Sequence, residues 1–589
     1  MYEKSITRPQ ADLVRRAKTS RTALLSLGPA LVSSSLCPVR EKRTMQSGTS
    51  DAYPDGDNPL SGPHTAPRQS AVWNGGEFTA VNTPNNRAKE VATNMGHDRG
   101  SDLSLPNSGT RTRRSMLQQF GWVIAAGMFR SWPSRVAAES ISPVMTDLST
   151  YMSEARNRAF PDKVMEEAKH HILDTVAAMV SGSELPPGRK AIEFARAYGG
   201  EKIATVVASQ TLCGPIEAAI ANAELAHSDE TDDDYSGGGA HPGCSIVPTT
   251  LALGEQFGIS GMHFVRAVTL GYDIGMRAMK TVGDGSFIKD THNLVGTFGA
   301  TAAGGCAVSL NPDQMRWLLD YAAQQAGAGI GSWRRDTEHI EKGFVFGGMG
   351  ARNGVTAALL VHSGWTGVND ILSGPDNFIE SYSPKADPAK LTEKLGDRYE
   401  ITLTTIKRWT TGGPIQSPLD ALQILLKRHP FEPDQVQQVV VRAATSAAFT
   451  VNNREMPDIC LQHLVAVMIV DKTVSFRAAH DKARMQDPAV LRVRAKVQLI
   501  PDEELERLIP KRVAIVEVTL SDGTKLTERV EAVRGTPENP MTRDEVIAKA
   551  SDLIAPVLGP AASTKLIERL LSIENVRDIR ELRPLLQRT

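Results

Sequence analysis

The chain has 589 residues, which is long enough for several domains and a large hydrophobic core, and its formal net charge is -1. A charge this close to zero gives no overall field that would attract nucleic acid or an anionic membrane, and no basic stripe indicates a nucleic-acid partner. The five cysteines, at positions 37, 213, 244, 306 and 460, share no CxxC spacing. We therefore expect neither a structural zinc site nor a disulfide framework, and we interpret most cysteines as small packing residues.

The first 110 residues are rich in Ser, Pro, Asn, Gly and Arg and show no sustained apolar periodicity. This composition predicts a disordered or non-native extension. Residues 111–138 differ from it, because Arg113 and Arg114 precede a short apolar stretch and a small-x-small pattern. The segment resembles a twin-arginine signal peptide, whose apolar part is too short to be a permanent membrane span.

The internal position of this signal suggests a true start at Met95 and a mature chain that begins near Glu139. We therefore expect a periplasmic or exported protein of bacterial type. The alternative is a chance amphipathic helix in a cytoplasmic protein.

From residue 142 the apolar residues recur with a period of 3.6, which predicts helices. Pro248 is expected to open one of these helices and Gly258 to end it. The predicted helices are 161–180, 215–226, 248–257, 262–279, 295–308, 313–328 and 351–363.

The pattern changes near residue 400, where alternating and β-branched stretches predict strands. Asp522 and Gly523 form the expected turn of a β-hairpin. The predicted strands are 399–405, 436–442, 493–499, 512–520 and 525–533; the predicted helices are 418–427, 459–470, 543–557, 561–572 and 579–586. We predict a mainly α fold with a large helical domain at 142–400. A smaller α+β lid domain at 401–540 precedes C-terminal helices at 541–589, which rejoin the helical domain.

Five acidic residues lie within positions 229–234, between two Ala-rich segments that are predicted to be buried helices, and His241 follows. Buried charges need partners, because an unpaired buried ion is costly. Two other interpretations remain open, a solvated loop and a cation site. Alternating carboxylates suit a hard cation, but the glycine and distal glutamate of an EF-hand loop are missing.

This acidic run followed by His241-Pro242 resembles the signature of the MmgE/PrpD family, which includes 2-methylcitrate dehydratase and cis-aconitate decarboxylase. The resemblance extends over roughly residues 142–589. It implies a helical bundle and a smaller lid with the active site between them, and a homodimer. Glu230 fits the leading acid of the family pattern, Asp233 belongs to the acidic pair, and His241 fits the active-site histidine.

Two lysines also fit the family pattern. Lys342 keeps the family's spacing to Gly347 at a helix entry, and Lys407 precedes an aromatic residue, Trp409. Both are expected to bind substrate carboxylates, although a surface ion pair with Glu338 or Glu341 is the alternative for Lys342. Arg454 offers a bidentate carboxylate contact, whereas His463 fits a core position equally well.

Three positions depart from the family pattern. Asp290 and Gly412 stand where family members carry histidine, and Val451 stands where decarboxylase-like members carry tyrosine. His292 is the nearby candidate for an active-site histidine, because it lies just before a predicted helix whose dipole would lower its pKa. These departures leave the fold assignment intact but weaken any assignment to one particular family activity.

The residues therefore predict a lyase that abstracts a proton from a small anionic carboxylic acid and releases water or carbon dioxide. His241 would shuttle the proton, and Glu230 and Asp233 would orient or tune His241. Lys342, Lys407 and Arg454 would hold the substrate. No cofactor or metal is implied, since no phosphate loop or dinucleotide fingerprint follows a strand. An isomerase or epimerase and a non-catalytic periplasmic carboxylate-binding protein remain as alternatives.

Overall fold

Helices make up most of the chain that the computed structural model describes, namely residues 140–235, 237, 239–283, 290–327 and 330–588. The predicted extension at 1–110 and the predicted signal at 111–138 lie outside these residues. Local sequence explains several helix starts: the Ser142 side chain accepts from the Met145 N–H, and Asn311 and Gln314 form a capping box.

The first part of the described chain is a bundle of helices with one two-residue strand pair, β1 (Ala204–Thr205) and β2 (Leu212–Cys213). Its helices are α1 (Pro143–Glu154), α2 (Asp162–Gly182), α3 (Pro186–Tyr198), α4 (Pro215–Ala226), α5 (Gly243–Phe257), α6 (Gly261–Val282), α7 (His292–Ala307), α8 (Pro312–Gln325), α9 (Ile340–Gly343), α10 (Met349–His362), α11 (Phe378–Tyr382) and α12 (Ala389–Thr392). A π-helical segment, Phe344–Gly348, joins α9 to α10.

A four-stranded sheet follows, with the order β4-β3-β5-β6. Strands β3 and β4 are parallel, whereas β3–β5 and β5–β6 are antiparallel, and Val439 aligns with Val497 and Val518. The strands are β3 (Val436–Ala444), β4 (Val497–Asp502), β5 (Ala514–Leu520) and β6 (Lys525–Val530). The helices of this part are α13 (Gln416–Arg428), α14 (Thr445–Val451), α15 (Leu461–Asp471), α16 (Phe476–His480), α17 (Pro488–Arg494) and α18 (Glu503–Glu506).

The chain ends in three helices, α19 (Arg543–Leu558), α20 (Pro560–Leu571) and α21 (Arg583–Leu586). Their apolar residues belong to the same hydrophobic core as those of α1–α8 and α10, while a second core lies between the sheet and helices α13 and α15. The mainly α class predicted from the sequence is therefore confirmed, with the small sheet confined to the second core.

Four predicted features are corrected by the structure. Pro248 lies inside α5 rather than at its start, because the helix already begins at Gly243, directly after His241-Pro242. The predicted strand 399–405 is instead a 3-10 turn, Glu400–Leu403. Its backbone and side chains bind the bundle instead of a strand: the Glu400 N–H donates to Asp273 at 2.7 Å.

The predicted strand 493–499 is correct only in its second half. Asp487 caps the start of α17, which runs through Arg494, and β4 begins only at Val497. The last predicted helix, 579–586, begins as a 3-10 turn, Ile579–Leu582. The four cysteines that the structure describes are all free and buried, in agreement with packing roles.

Among the described residues, one helical stretch is long and apolar enough to cross a bilayer, Ile340–His362. Most of it is buried inside the protein, and α10 packs closely on α7. We therefore interpret this stretch as a core helix of the bundle.

Candidate active site

The acidic run is buried, and its five carboxylates have five different sets of partners. None of Asp229, Glu230, Asp232, Asp233 and Asp234 is more than 5% exposed. The solvated-loop interpretation is therefore wrong. The partners are His480 for Asp229, Lys342 for Glu230, His227 and His241 for Asp232, His171 and Tyr272 for Asp233, and Arg512 for Asp234.

His241 is held by Asp232. Its Nδ1 lies 3.2 Å from Asp232 Oδ1, which also lies 2.9 Å from Nδ1 of the buried His227. Burial would raise the pKa of Asp232, but the two imidazoles outweigh burial and hold that pKa well below its usual value. An ionised carboxylate on Nδ1 fixes the orientation of the His241 ring and leaves Nε2 as the nitrogen available to a substrate.

Asp233 does not contact His241 and instead supports the fold. Its Oδ2 lies 2.6 Å from His171 Nδ1 and accepts from the Tyr272 hydroxyl at 2.5 Å, while its Oδ1 accepts from the Gly243 N–H. Asp233 thus accepts from the first backbone N–H of α5 and helps to cap that helix. The predicted orienting role of Asp233 is corrected: the neighbouring Asp232 is the carboxylate that contacts the histidine.

Glu230 lies between two buried lysines. Lys342 Nζ contacts its Oε1, and Lys407 Nζ lies 3.6 Å from its Oε2. Burial lowers the pKa of Lys342 to about 7, so this ammonium loses its proton far more readily than an exposed lysine. Glu338 and Glu341, considered from the sequence as partners of Lys342, are not the groups that it contacts.

Glycine allows the segment after Lys342 to reach this position. A Cβ added at Gly347 would lie 2.7 Å from the carbonyl oxygen of Ala223 in α4. The π-helical segment can therefore pack directly on the α4 backbone, and it brings Phe346 to the cluster of histidines. The sequence spacing from Lys342 to Gly347 reflects this close approach.

His292 forms a second histidine–carboxylate pair. Its Nδ1 lies 2.6 Å from Asp290 Oδ1, and Trp333 donates its indole N–H to the other oxygen of Asp290. The imidazole stacks on Phe346 with the ring centroids 3.5 Å apart, and its centroid is 5.6 Å from that of His241. The pKa of His292 is lowered, in the predicted direction. The main cause is burial rather than the helix dipole expected from the sequence.

A cavity of about 510 Å³ is lined by these groups on one side and by residues of the sheet-bearing part of the chain on the other. Five of the seven predicted site residues line it, namely Glu230, His241, His292, Lys342 and Arg454. Asp233 and Lys407 lie behind its wall. The remaining lining residues are Asp234, Gly239, Trp333, Arg334, Phe346, Gly412, Gly413, Pro414, Phe449, Thr450, Val451, Met456, Ile459 and Arg512.

Several functional candidates escaped the sequence analysis. Asp232, His227 and Asp290 lie within three residues of predicted site residues, and the sequence does not show which side chains point to the site. Trp333 and Arg334 come from a 3-10 turn without a motif, and Arg512 comes from the start of a strand region. His463 is fully buried and does not line the cavity, which agrees with a core position.

By distance alone, His227, Glu230 and His339 could hold a metal ion, as could His227, Asp232 and Cys244. The ammonium groups oppose this use of the first group, because Lys342 contacts Glu230 and Lys407 lies 3.6 Å from it. Burial raises the pKa of Cys244 well above its usual value, which disfavours the thiolate that a metal needs. The arrangement fits binding of an anion better than binding of a cation.

Comparisons with known proteins give the same assignment along most of the chain. Residues 146–391 match the MmgE/PrpD N-terminal domain and residues 409–573 match the MmgE/PrpD C-terminal domain. A cis-aconitate decarboxylase of Aspergillus terreus is 24% identical over 481 residues, which is 76% of this chain and 96% of the relative. A cis-aconitate decarboxylase of Homo sapiens is 24% identical over 448 residues, or 72% of this chain and 91% of the relative. The chain therefore belongs to the MmgE/PrpD family.

Proposed function

We propose that the protein is a lyase that acts on a small anionic carboxylic or hydroxycarboxylic acid by proton abstraction and loss of water or carbon dioxide. The observation that carries this proposal is the geometry of His241. Its Nδ1 is engaged by the ionised Asp232, and its ring lines a cavity that also contains Lys342, His292 and Arg454. Proton abstraction beside a carboxylate requires such a base together with cations for the developing negative charge.

In a dehydration, His241 Nε2 would take the proton from the carbon next to the carboxylate. The electron pair of that C–H bond becomes the new C=C bond while the C–O bond breaks, and the hydroxyl leaves as water after it receives a proton. His292, whose ring centroid lies 5.6 Å from that of His241, would supply that proton in its protonated form. Arg454 would hold the carboxylate, and Lys342, beside Glu230, would stabilise the enolate-like charge that develops on it.

In a decarboxylation the same groups act, but the carbon–carbon bond breaks first and the proton is added afterwards. The C–C bond to the departing carboxylate breaks, carbon dioxide leaves, and the remaining electron pair takes a proton from a protonated histidine. The names of the relatives, cis-aconitate decarboxylases, support this class of reaction. Gly412 and Val451 line the cavity at the positions where the decarboxylase-like pattern has histidine and tyrosine, so cis-aconitate itself is not the substrate that we propose.

The test is proton NMR of the purified protein with a panel of hydroxycarboxylates and unsaturated acids in deuterated buffer. We expect loss of water or carbon dioxide from at least one acid, and we expect this turnover to disappear in His241→Ala. His463→Gln is the matched control, because His463 is a buried histidine outside the cavity.

Other outcomes would replace the proposal. Deuterium exchange without net loss would identify an isomerase or epimerase that uses the same proton abstraction. Binding without exchange in wild type would identify a carboxylate-binding protein.

Two sequence predictions remain proposals beside this function. We propose that residues 111–138 direct export, and that the protein is a homodimer. Fractionation of cells that express the tagged full chain tests export, and its retention with a cytoplasmic marker would contradict it. Light scattering of the purified protein gives the subunit number.

A further inference from the structure

The side of the cavity formed by the sheet-bearing part of the chain carries an apolar patch beside Thr450, Arg454 and Arg512. We call Pro414, Phe449, Val451, Met456 and Ile459 the lid wall; all five line the cavity. Val451, Met456 and Ile459 are themselves buried. Water next to such a surface is released when an apolar group covers it, and the gain is proportional to the apolar area.

The absence of a side chain at position 412 enlarges this part of the cavity. Gly412 has φ -50 and ψ 140, a backbone conformation that any residue adopts. A Cβ added there would meet Ile459 Cγ2 at 3.3 Å and the Asp458 carbonyl oxygen at 3.9 Å. The backbone therefore does not require glycine, and the consequence of glycine here is space beside the lid wall.

The charges of the cavity lining indicate how many anionic groups a ligand carries. Among the described lining residues, four are cationic, Arg334, Lys342, Arg454 and Arg512, and two are carboxylates, Glu230 and Asp234. Lys342 pairs with Glu230, and Arg512 lies 2.7 Å from Asp234.

Two arginines are left for a ligand. Among the residues that the structure describes, no ion pair joins Arg334 or Arg454 to a carboxylate, and the Arg454 guanidinium donates to the Arg334 carbonyl oxygen at 3.0 Å. Two guanidinium groups that line one cavity without carboxylate partners match two carboxylates on the substrate. A third carboxylate would have to lie against the lid wall, where it would lose its hydration without a partner.

We propose that the substrate is a dicarboxylate with an alkyl or aryl substituent larger than methyl, whose carboxylates meet Arg334 and Arg454 and whose substituent covers the lid wall. This inference deepens the proposed lyase function and rests on it for the reaction, but not for the binding. It excludes tricarboxylates as the preferred ligands.

The experiment uses malate, 3-methylmalate, 3-butylmalate, 3-benzylmalate and citrate with the full chain. We measure kcat/KM and, for the same compounds, the increase of the Tm. We expect kcat/KM and the Tm increase to rise from malate to the butyl compound, by about 3-fold in kcat/KM per added methylene, and citrate to be weakest. A flat series, or a preference for citrate, would overturn the inference.

Two variants locate the effect on the lid wall. Val451→Thr keeps the side-chain shape and replaces a methyl group by a hydroxyl, so we expect it to reduce the ratio of kcat/KM for the butyl compound to kcat/KM for malate at least 3-fold. Gly412→Leu fills the space beside Ile459 and should exclude the benzyl compound first. Val368→Thr, at an exposed position outside the cavity lining, is the control that keeps the wild-type order.

Turnover tests the proposed lyase function, whereas the Tm increase tests binding at the lid wall, so the two proposals can fail separately. If no compound turns over or exchanges deuterium, the lyase proposal fails. The dependence of the Tm increase on substituent size then still decides whether the lid wall binds an apolar group.

Discussion

The two walls of the cavity differ in the side chains that they carry. The bundle wall carries His241 and His292, each fixed through Nδ1 by a buried carboxylate, and Lys342 beside Glu230. The lid wall carries five apolar side chains, of which Val451 also belongs to the second hydrophobic core. We propose that the bundle wall provides proton transfer and that the lid wall selects among substrates. Changes on the bundle side should therefore act on kcat, and changes on the lid side on the order of substrates.

The largest effect should come from His241. We expect His241→Gln to lower kcat by about 10³-fold, because a positioned general base contributes on the order of 10²–10⁴. The binding of a carboxylate, measured by the Tm increase, should change little. A kcat within tenfold of wild type would remove His241 from the reaction and break the assignment of chemistry to the bundle wall.

The adjacent pair Asp232 and Asp233 sharpens the comparison within the bundle. We expect Asp232→Asn to lower kcat by about 10²-fold with little change in KM, because the carboxylate that orients His241 is lost. Asp233→Asn should instead lower the free energy of unfolding by about 2 kcal/mol, since it loses charge-assisted contacts to His171 and Tyr272. Steady-state kinetics and denaturant unfolding of both variants measure this. Equal kinetic losses in the two variants would contradict the different roles.

The pH dependence of substrate binding tests Lys342. Its pKa of about 7 means that the lysine is charged below this pH and neutral above it in the free protein. We therefore expect kcat/KM to fall as the pH rises above about 7, by several-fold within 2 pH units. In Lys342→Arg this fall should disappear, because arginine stays protonated. A wild-type fall that persists unchanged in the variant would assign it to another group.

The smallest effect should come from the contact that joins the two parts of the molecule at His480 and Asp229, which lie 2.6 Å apart. Burial would lower the pKa of His480, but Asp229 outweighs it and raises the pKa to about 9. Since the unfolded value is about 6.5, this contribution to stability is complete below pH 6.5 and is lost as the pH rises through about 9.

We expect His480→Gln to lower the Tm by about 2 °C at pH 6 and by much less above pH 9, as measured by calorimetry. Lys482→Gln, which removes an exposed ion pair with Glu338 nearby, should change the Tm by less than 1 °C at either pH. A constant difference between wild type and His480→Gln across this range would show that the charge of His480 does not contribute to stability.

Much of the molecule was predictable from the sequence because the determining forces are local or periodic. The 3.6-residue apolar period placed α2, α4, α6 and α8, and β-branched runs placed β3 and β5. The buried charges of residues 229–234 and the motif at His241 indicated both the family and the region of the site. The conclusion that these acids need partners follows from the cost of burying charge.

The tertiary structure alone decided the rest. Whether Asp232 or Asp233 meets His241 depends on the turn of the backbone between α4 and α5, because neighbouring residues of the same type carry the same sequence signal. The predicted strand at 399–405 is instead a 3-10 turn in which Asp273 and Lys280 of α6 bind Glu400, and only Thr405 forms a β-bridge, with Asp234. Trp333, Arg334 and Arg512 reach the cavity through long-range packing, which no local pattern specifies. The sequence by itself determined the family, the helical class and the residues that carry charge; the packing of distant segments determined which charges meet and which wall the substrate contacts.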